Sequence, residues 1–119
     1  MFLNFSNHAS ANWSDQQKNA AIALGGEIVD VPFPQVSATA DEAEIRALAE
    51  RCADQLCAQH PDAVMCQGEF GLTYSVVTLL KARGVRTVYS CAERNTAERK
   101  TENGTLKTVE FCFVRFRDY

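Results

Sequence analysis

Residues 63–84 read AVMCQGEFGLTYSVVTLLKARG and decide the fold. Four consecutive apolar residues, Ala63–Cys66, are typical of a strand that is buried on both faces of a parallel sheet. The polar turn 67–69 follows, and the pattern then predicts a helix from about Phe70 to Arg83, with Gly84 as its stop. A strand, a short turn and a helix form half of a parallel βαβ unit.

The same alternation precedes this stretch. A short strand is predicted over Met1–Phe5, and a helix follows it with Ser14 as N-cap and Gln17 at the capping-box position. Glu27–Val31 predicts a second strand. The clearest helix of the sequence then begins at Asp41, since Glu44 completes a second capping box and apolar residues recur on one face.

The C-terminal third predicts a fourth strand over Val85–Ser90, with Cys91–Asn95 as its loop, and a hairpin over residues 98–117. Asn103-Gly104 is typical of the hairpin's two-residue turn. In its second strand, alternation places on one face Val109, Phe111, Phe113 and Arg115. We therefore expect one domain over residues 1–119, a three-layer Rossmann-like α/β sandwich with a mainly parallel sheet and a C-terminal antiparallel hairpin.

Composition excludes several classes of protein. The chain has 119 residues, of which 46% are hydrophobic and 23% charged, as in ordinary globular domains. No apolar run approaches the roughly 20 residues of a membrane span. The first ten residues have neither the basic region nor the apolar core of a signal peptide. We therefore expect a cytoplasmic protein with no membrane partner. Five cysteines without a C-x-x-C pair favour neither a disulfide framework nor a zinc site.

Charge is distributed unevenly along the chain. The net charge is −3, which is too small to indicate a nucleic-acid duplex as partner. Residues 1–80 carry a net charge of −7, however, and residues 81–119 carry +4. This asymmetry can mark an anion-binding surface in the C-terminal part, but a basic face that is merely solvated is the commoner cause of such an asymmetry taken alone.

Three polar loops are predicted at the same edge of the sheet. Ligands of open α/β sheets bind outside the carboxyl ends of the strands. The loops after the first, third and fourth strands supply the candidate ligand-binding residues Ser6, Asn7, Ser10, Trp13, Gln67, Gly68, Phe70, Ser90, Glu93, Arg94 and Asn95, and the candidate catalytic residues His8 and Glu69.

These residue types suit a nucleotide. Arg94 can bind a phosphate through two parallel hydrogen bonds, and the N-terminus of the helix at Phe70 can bind it through backbone amides. Gln67 can hydrogen-bond to a base edge, and aromatic side chains can stack on a base. His8 can transfer a proton near neutral pH.

Each of these residues also has a purely structural interpretation. His8 could bond its own turn, Glu69 could stabilise the start of a helix, and Arg94 could pair with Glu93 or Glu98. Trp13 could be a hydrophobic staple beside the first helix.

The absence of several motifs excludes some cofactors and metals. The sequence has no G-x-G-x-x-G and no G-x-x-x-x-G-K-[ST], so we expect neither a dinucleotide cofactor nor a P-loop. The two histidines, His8 and His60, lie on different loops that are predicted at opposite ends of the sheet. We therefore predict no metal site, and any nuclease activity would be metal-independent.

Several short segments resemble small CRISPR-associated Rossmann-like proteins of type III systems, which are related to the CARF fold. The segments are LNFSNH at 3–8 with Trp13 and Gln17, VPFP at 31–34, QGE at 67–69, ERN at 93–95 and FVRFR at 113–117. The resemblance implies a homodimer that binds cyclic oligoadenylate, with cyclic tetra-adenylate as the expected ring. It also implies ring nuclease activity that switches off type III CRISPR signalling.

Three functions stay open at this point. The first is a ring nuclease, in which a ribose 2′-OH attacks the adjacent phosphate while the protein holds the geometry and stabilises the developing charge. The second is a non-catalytic sensor or sequestering protein for the same ligand. The third is a thiol-dependent small-molecule enzyme that uses Cys66 or Cys91.

Overall fold

The computed structural model describes residues 1–119 as one five-stranded sheet with three α-helices. The elements are β1 Phe2–Ser6, a 3-10 turn Ser10–Asn12, α1 Asp15–Gly25, β2 Ile28–Pro32, α2 Glu42–Cys57, β3 Ala63–Gln67, α3 Phe70–Ala82, β4 Thr87–Thr101 and β5 Gly104–Asp118. The strand order is β2-β1-β3-β4-β5, in which only the pairing of β4 with β5 is antiparallel. The predicted fold class is confirmed. None of the three helices combines the length and apolarity needed to cross a bilayer.

Both predicted N-caps are present, although neither capping box has its return bond to the side chain of Gln17 or Glu44. The Ser14 hydroxyl accepts a hydrogen bond from the Gln17 N–H at the start of α1, and the Asp41 carboxylate accepts one from the Glu44 N–H, at 2.8 Å, at the start of α2. Each cap satisfies a backbone donor that the first helical turn leaves unpaired. The two helices therefore begin where the sequence predicts.

The sheet separates two apolar layers. On one face, Leu3 and Phe5 of β1 belong to a large core with side chains of α2 and α3. On the other face, Phe2 packs with Trp13 at the entry to α1 and with Phe116 of β5. Because successive side chains of a strand point to opposite faces, β1 contributes to both layers.

The C-terminal region differs from its prediction. Cys91–Asn95 is part of β4 rather than a loop, so β4 and β5 are each 15 residues long and form a hairpin that extends beyond the carboxyl ends of β1 and β3. Its turn is Glu102-Asn103, one residue earlier than predicted, and Gly104 begins β5 with φ +127°. We call residues 92–113, which pair only with one another, the ribbon.

A β-bulge corrects the predicted face of β5. Cys91 pairs with Arg115 while Ala92 pairs with Phe113, so Val114 is an extra residue on β5. The bulge shifts the alternation by one residue. Phe116, and not Arg115, therefore continues the face of Phe113, and the two rings pack with centroids 4.9 Å apart.

Candidate functional site

A cavity of about 700 Å³ lies at the carboxyl ends of β1 and β3, beside Ser90 of β4. The chain passes from β1 to α1 on one face of the sheet and from β3 to α3 on the other, so strand order reverses between β1 and β3. This switch point is where open α/β sheets bind ligands. The cavity opens on the α1 face and is lined by Ser6, His8, Asn12, Trp13, Ser14, Gln16, Gln17, Met65, Gln67, Ser90, Phe111, Cys112 and Phe113.

Three polar residues in one row form the floor of this cavity. Ser6 of β1 pairs in register with Gln67 of β3, and Gln67 bonds Ser90 of β4. The Gln67 Oε1 accepts hydrogen bonds from the Ser90 N–H at 2.6 Å and from the Ser90 hydroxyl at 2.9 Å. Adjacent parallel strands thus hold these side chains on the same face of the sheet, next to one another in register.

The turn after β1 is fixed by its backbone, which leaves the His8 ring free. The His8 N–H donates to the Ser6 hydroxyl at 3.2 Å, and the His8 carbonyl accepts from Asn4 Nδ2 at 2.8 Å. The Ser6 hydroxyl donates to Asn4 Oδ1 at 2.6 Å. The imidazole makes no hydrogen bond within the chain, so it is available to a ligand in the cavity.

Asp30 of β2 completes this network. Its carboxylate accepts hydrogen bonds from Asn4 Nδ2, at 3.0 Å, and from the Ser10 N–H. Burial raises the pKa of Asp30, but these hydrogen bonds outweigh burial and leave the pKa below its ordinary value. The Ser10 N–H thus holds the loop to Asp30, and Ser10 does not line the cavity. Asn7 lines a smaller adjoining cavity of about 330 Å³.

The cavity is polar but carries no fixed charge, since its lining contains no Lys, Arg, Asp or Glu. The start of α1 supplies amides and a hydroxyl, and the ribbon supplies aromatic rings. Phe111 is 73% exposed, so one ring face is open to a ligand. Trp13 is only 9% exposed and packs edge-on against Phe2, so it belongs to the core.

Glu69 and the residues beside it lie on the opposite face of the sheet. The Glu69 carboxylate caps α3 by accepting a hydrogen bond from the Gly71 N–H, and it borders a different cavity beside α2. Phe70 is 93% exposed there, and Gly68 contacts the Phe33 ring. The predicted convergence of Glu69 with His8 is therefore wrong, because α3 begins behind the sheet. The predicted anion site at this helix N-terminus already holds the chain's own carboxylate.

Arg94 lies on the ribbon and not in a loop. It pairs in register with Phe111, so both side chains share the face of the ribbon that borders the cavity. No carboxylate lies within ion-pair distance of Arg94, so the predicted pairing with Glu93 or Glu98 is absent. Glu93 and Asn95 point to the other face, where Asn95 Nδ2 donates to Cys112 Sγ at 3.3 Å.

A family model matches residues 1–117, almost the whole chain, and its description is Uncharacterized protein MJ1673 family. The chain belongs to this family. Comparisons with curated proteins and with solved structures gave no significant match.

Five of the predicted site residues line the cavity of this MJ1673-family chain: Ser6, His8, Trp13, Gln67 and Ser90. Sequence reasoning missed the wall formed by α1 and the ribbon. The polar cluster Asn12, Gln16 and Gln17 was a usable signal, because it follows the first strand at the ligand-binding edge. Nothing in the sequence placed Phe111 and Phe113 there, since a loop was expected in place of the extended β4.

One predicted thiol is unsuited to chemistry in this MJ1673-family protein. Cys66 is fully buried, and burial raises the pKa of its thiol to about 12. A thiol must ionise to act as a nucleophile, so Cys66 is inert at neutral pH. Cys91 is half-buried on the face of the sheet that α1 does not cover.

Proposed function

We propose that this protein binds cyclic oligoadenylate at the carboxyl edge of its sheet and cleaves it as a metal-independent ring nuclease. The observation that carries the proposal is the uncharged cavity at the strand switch point, with amide and hydroxyl side chains around it and the free His8 imidazole at its rim. Neutral amides and an exposed ring suit a base and a ribose. Arg94, beside the cavity, suits a phosphate.

A homodimer accompanies this proposal. A cavity of about 700 Å³ is in the range that holds one drug-sized ligand, whereas cyclic tetra-adenylate contains four nucleotides. A two-fold axis would present two such cavities to a symmetric ring. The chain exposes 7714 Å² of surface, against about 6,400 Å² for a typical monomer of this mass. This excess of exposed surface is larger than the roughly 800 Å² that each partner buries in a standard interface.

The proposed reaction is an internal transesterification. The 2′-oxygen attacks the adjacent phosphorus, the bond from phosphorus to the 5′-oxygen breaks, and a linear product with a 2′,3′-cyclic phosphate results. The 2′-hydroxyl loses a proton and the 5′-oxygen gains one. His8 is the group in the cavity suited to carry this proton, while Arg94 stabilises charge on the phosphate. Glu69 has no part, because it caps α3 on the other face.

The test compares three substitutions with wild type in single-turnover cleavage and direct binding of cyclic tetra-adenylate. His8→Ala should slow cleavage by roughly 10²–10⁴-fold with a smaller loss of binding. Arg94→Ala should weaken binding about 10- to 150-fold, as expected for the loss of a hydrogen bond between charged groups. His60→Ala is the matched control, because His60 lies before β3 at the far end of the sheet. Thermal melts check that each variant folds, and sedimentation gives the oligomeric state.

Cleavage by His8→Ala at the wild-type rate would remove His8 from the mechanism. Loss of cleavage on addition of EDTA would show that a metal takes part. Wild type that binds the ring without cleaving it would support the second candidate, a non-catalytic sensor or sequestering protein. One observation favours that candidate: the lining of the cavity holds no carboxylate and no amine, so His8 has no second acid–base side chain of these kinds beside it.

A further inference from the structure

The orientation of the Gln67 amide is determined by its neighbour. A backbone N–H can only donate, so the Gln67 atom 2.6 Å from the Ser90 N–H must be the oxygen Oε1. The Ser90 hydroxyl also donates to this oxygen, at 2.9 Å, so both of its lone pairs are used. The Gln67 nitrogen Nε2 has no partner in the chain and presents its two N–H groups at the cavity floor.

The Ser90 hydroxyl has the complementary property. Because its proton points at Gln67, its oxygen keeps lone pairs that can accept a hydrogen bond. Ser6, in the same row, has less capacity to spare, since its hydroxyl donates to Asn4 and one of its two lone pairs already accepts from the His8 N–H. The floor therefore offers a donor at Gln67 and, next to it, an acceptor at Ser90.

We propose that Gln67 and Ser90 act as one unit that selects adenine. Adenine presents a ring-nitrogen acceptor beside the N6 amino donor, which matches Gln67 Nε2 and Ser90 Oγ respectively. Guanine and hypoxanthine present a carbonyl oxygen where adenine has the amino group, so an acceptor would face the Ser90 lone pairs. Gln67 alone cannot make the usual two-bond contact with adenine, because its oxygen is already occupied.

This inference rests on the proposed function, but mononucleotides test it separately. Wild type is titrated with AMP and with IMP, and cyclic tetra-adenylate is titrated in parallel. We expect AMP to bind roughly 5- to 150-fold more tightly than IMP, the range for a correctly paired base edge. Ser90→Ala keeps the main-chain N–H that holds Gln67 but removes the acceptor, so the preference should fall to about twofold or less. Ser90→Thr retains a hydroxyl and should therefore retain the preference for AMP over IMP.

Gln67→Glu tests the donor side of the unit. Glutamate can accept from Ser90 but has no N–H to offer, so binding of AMP and IMP should both fall at least tenfold. Gln55→Glu, which makes the same change of charge on the exposed surface of α2, is the control and should bind like wild type.

The outcomes separate the two proposals. The proposal for Gln67 and Ser90 is overturned if wild type binds AMP and IMP equally, or if Ser90→Ala keeps the full preference for AMP. In either case, binding of cyclic tetra-adenylate would still support the proposed function. A preference for AMP without any binding of cyclic tetra-adenylate supports adenine selection by Gln67 and Ser90 and overturns the proposed function. Binding of none of the three ligands overturns both.

Discussion

Gly68→Ala should disturb the edge of the sheet that carries the cavity. A Cβ at Gly68 would lie 2.5 Å from the Cε1 and Cζ atoms of Phe33, about 1 Å closer than carbon atoms pack. The Phe33 ring is 7% exposed and packs on the Phe5 ring at 4.8 Å, so it cannot move without opening the core. Overpacking of this kind costs about 2–3 kcal/mol. For a domain of this size, that loss lowers the melting temperature by roughly 10 °C.

The assay is urea unfolding followed by the fluorescence of Trp13, which is the single tryptophan. Phe33→Leu is made alone and together with Gly68→Ala, because a smaller side chain at position 33 leaves room for the new methyl group. The loss in the double variant should then be at least 1 kcal/mol smaller than the sum of the two single losses. A Gly68→Ala protein within 0.5 kcal/mol of wild type, or strictly additive losses, would refute the contact.

Two further predictions concern the hairpin and the thiols. Phe116→Ala should cost about 2–4 kcal/mol of stability, because the ring packs at 5.1 Å from Phe2 and at 4.9 Å from Phe113; a loss below about 1 kcal/mol in urea unfolding would contradict this role. In the native protein a thiol reagent such as dithionitrobenzoate should label exposed Cys112 rapidly and leave Cys66 unlabelled until the chain unfolds, since Cys66 is fully buried with its pKa raised to about 12. Labelling of both thiols at one rate would show that the core around β3 opens readily.

The elements that the sequence predicts correctly are those with local causes. Ser14 and Asp41 cap their helices through side-chain contacts that span only three residues. The apolar run of β3 is continuous because α2 and α3 cover one face of that strand, while α1 and Phe116 cover the other. Such signals depend on neighbours in sequence, so they are visible without the fold.

The extended hairpin has a non-local cause. The residues Cys91–Asn95 show no alternation of apolar and polar side chains, and a loop is the natural interpretation of such a stretch. They form a strand because β5 returns beside them, where Arg94 pairs with Phe111. The bulge at Val114 likewise depends on how the two strands are aligned, which no residue spacing within β5 indicates.

Five of the thirteen residues that line the cavity could be predicted from a general rule about α/β sheets. The rule that ligands bind at the carboxyl edge of parallel strands places Ser6, Gln67 and Ser90 at the same edge of the sheet, where the structure has them side by side. The face of the sheet on which each loop continues depends on strand order, however, and that order is not encoded in local pattern. Glu69 lies behind the sheet because α3 packs there with α2, while α1 packs in front.

Part of the basic charge of the C-terminal part is paired with acidic residues of the same chain. Arg83 pairs with Glu50 and Asp54, and Arg86 forms two hydrogen bonds with Asp118. Exposed pairs of this kind contribute little stability, but they leave these cations poorly placed to bind an anion in the cavity. Arg94, by contrast, has no acidic partner and shares the cavity-facing side of the ribbon with an exposed ring. If an anionic ligand occupies the cavity, Arg94 is therefore the cation of the same chain best placed to meet its phosphate.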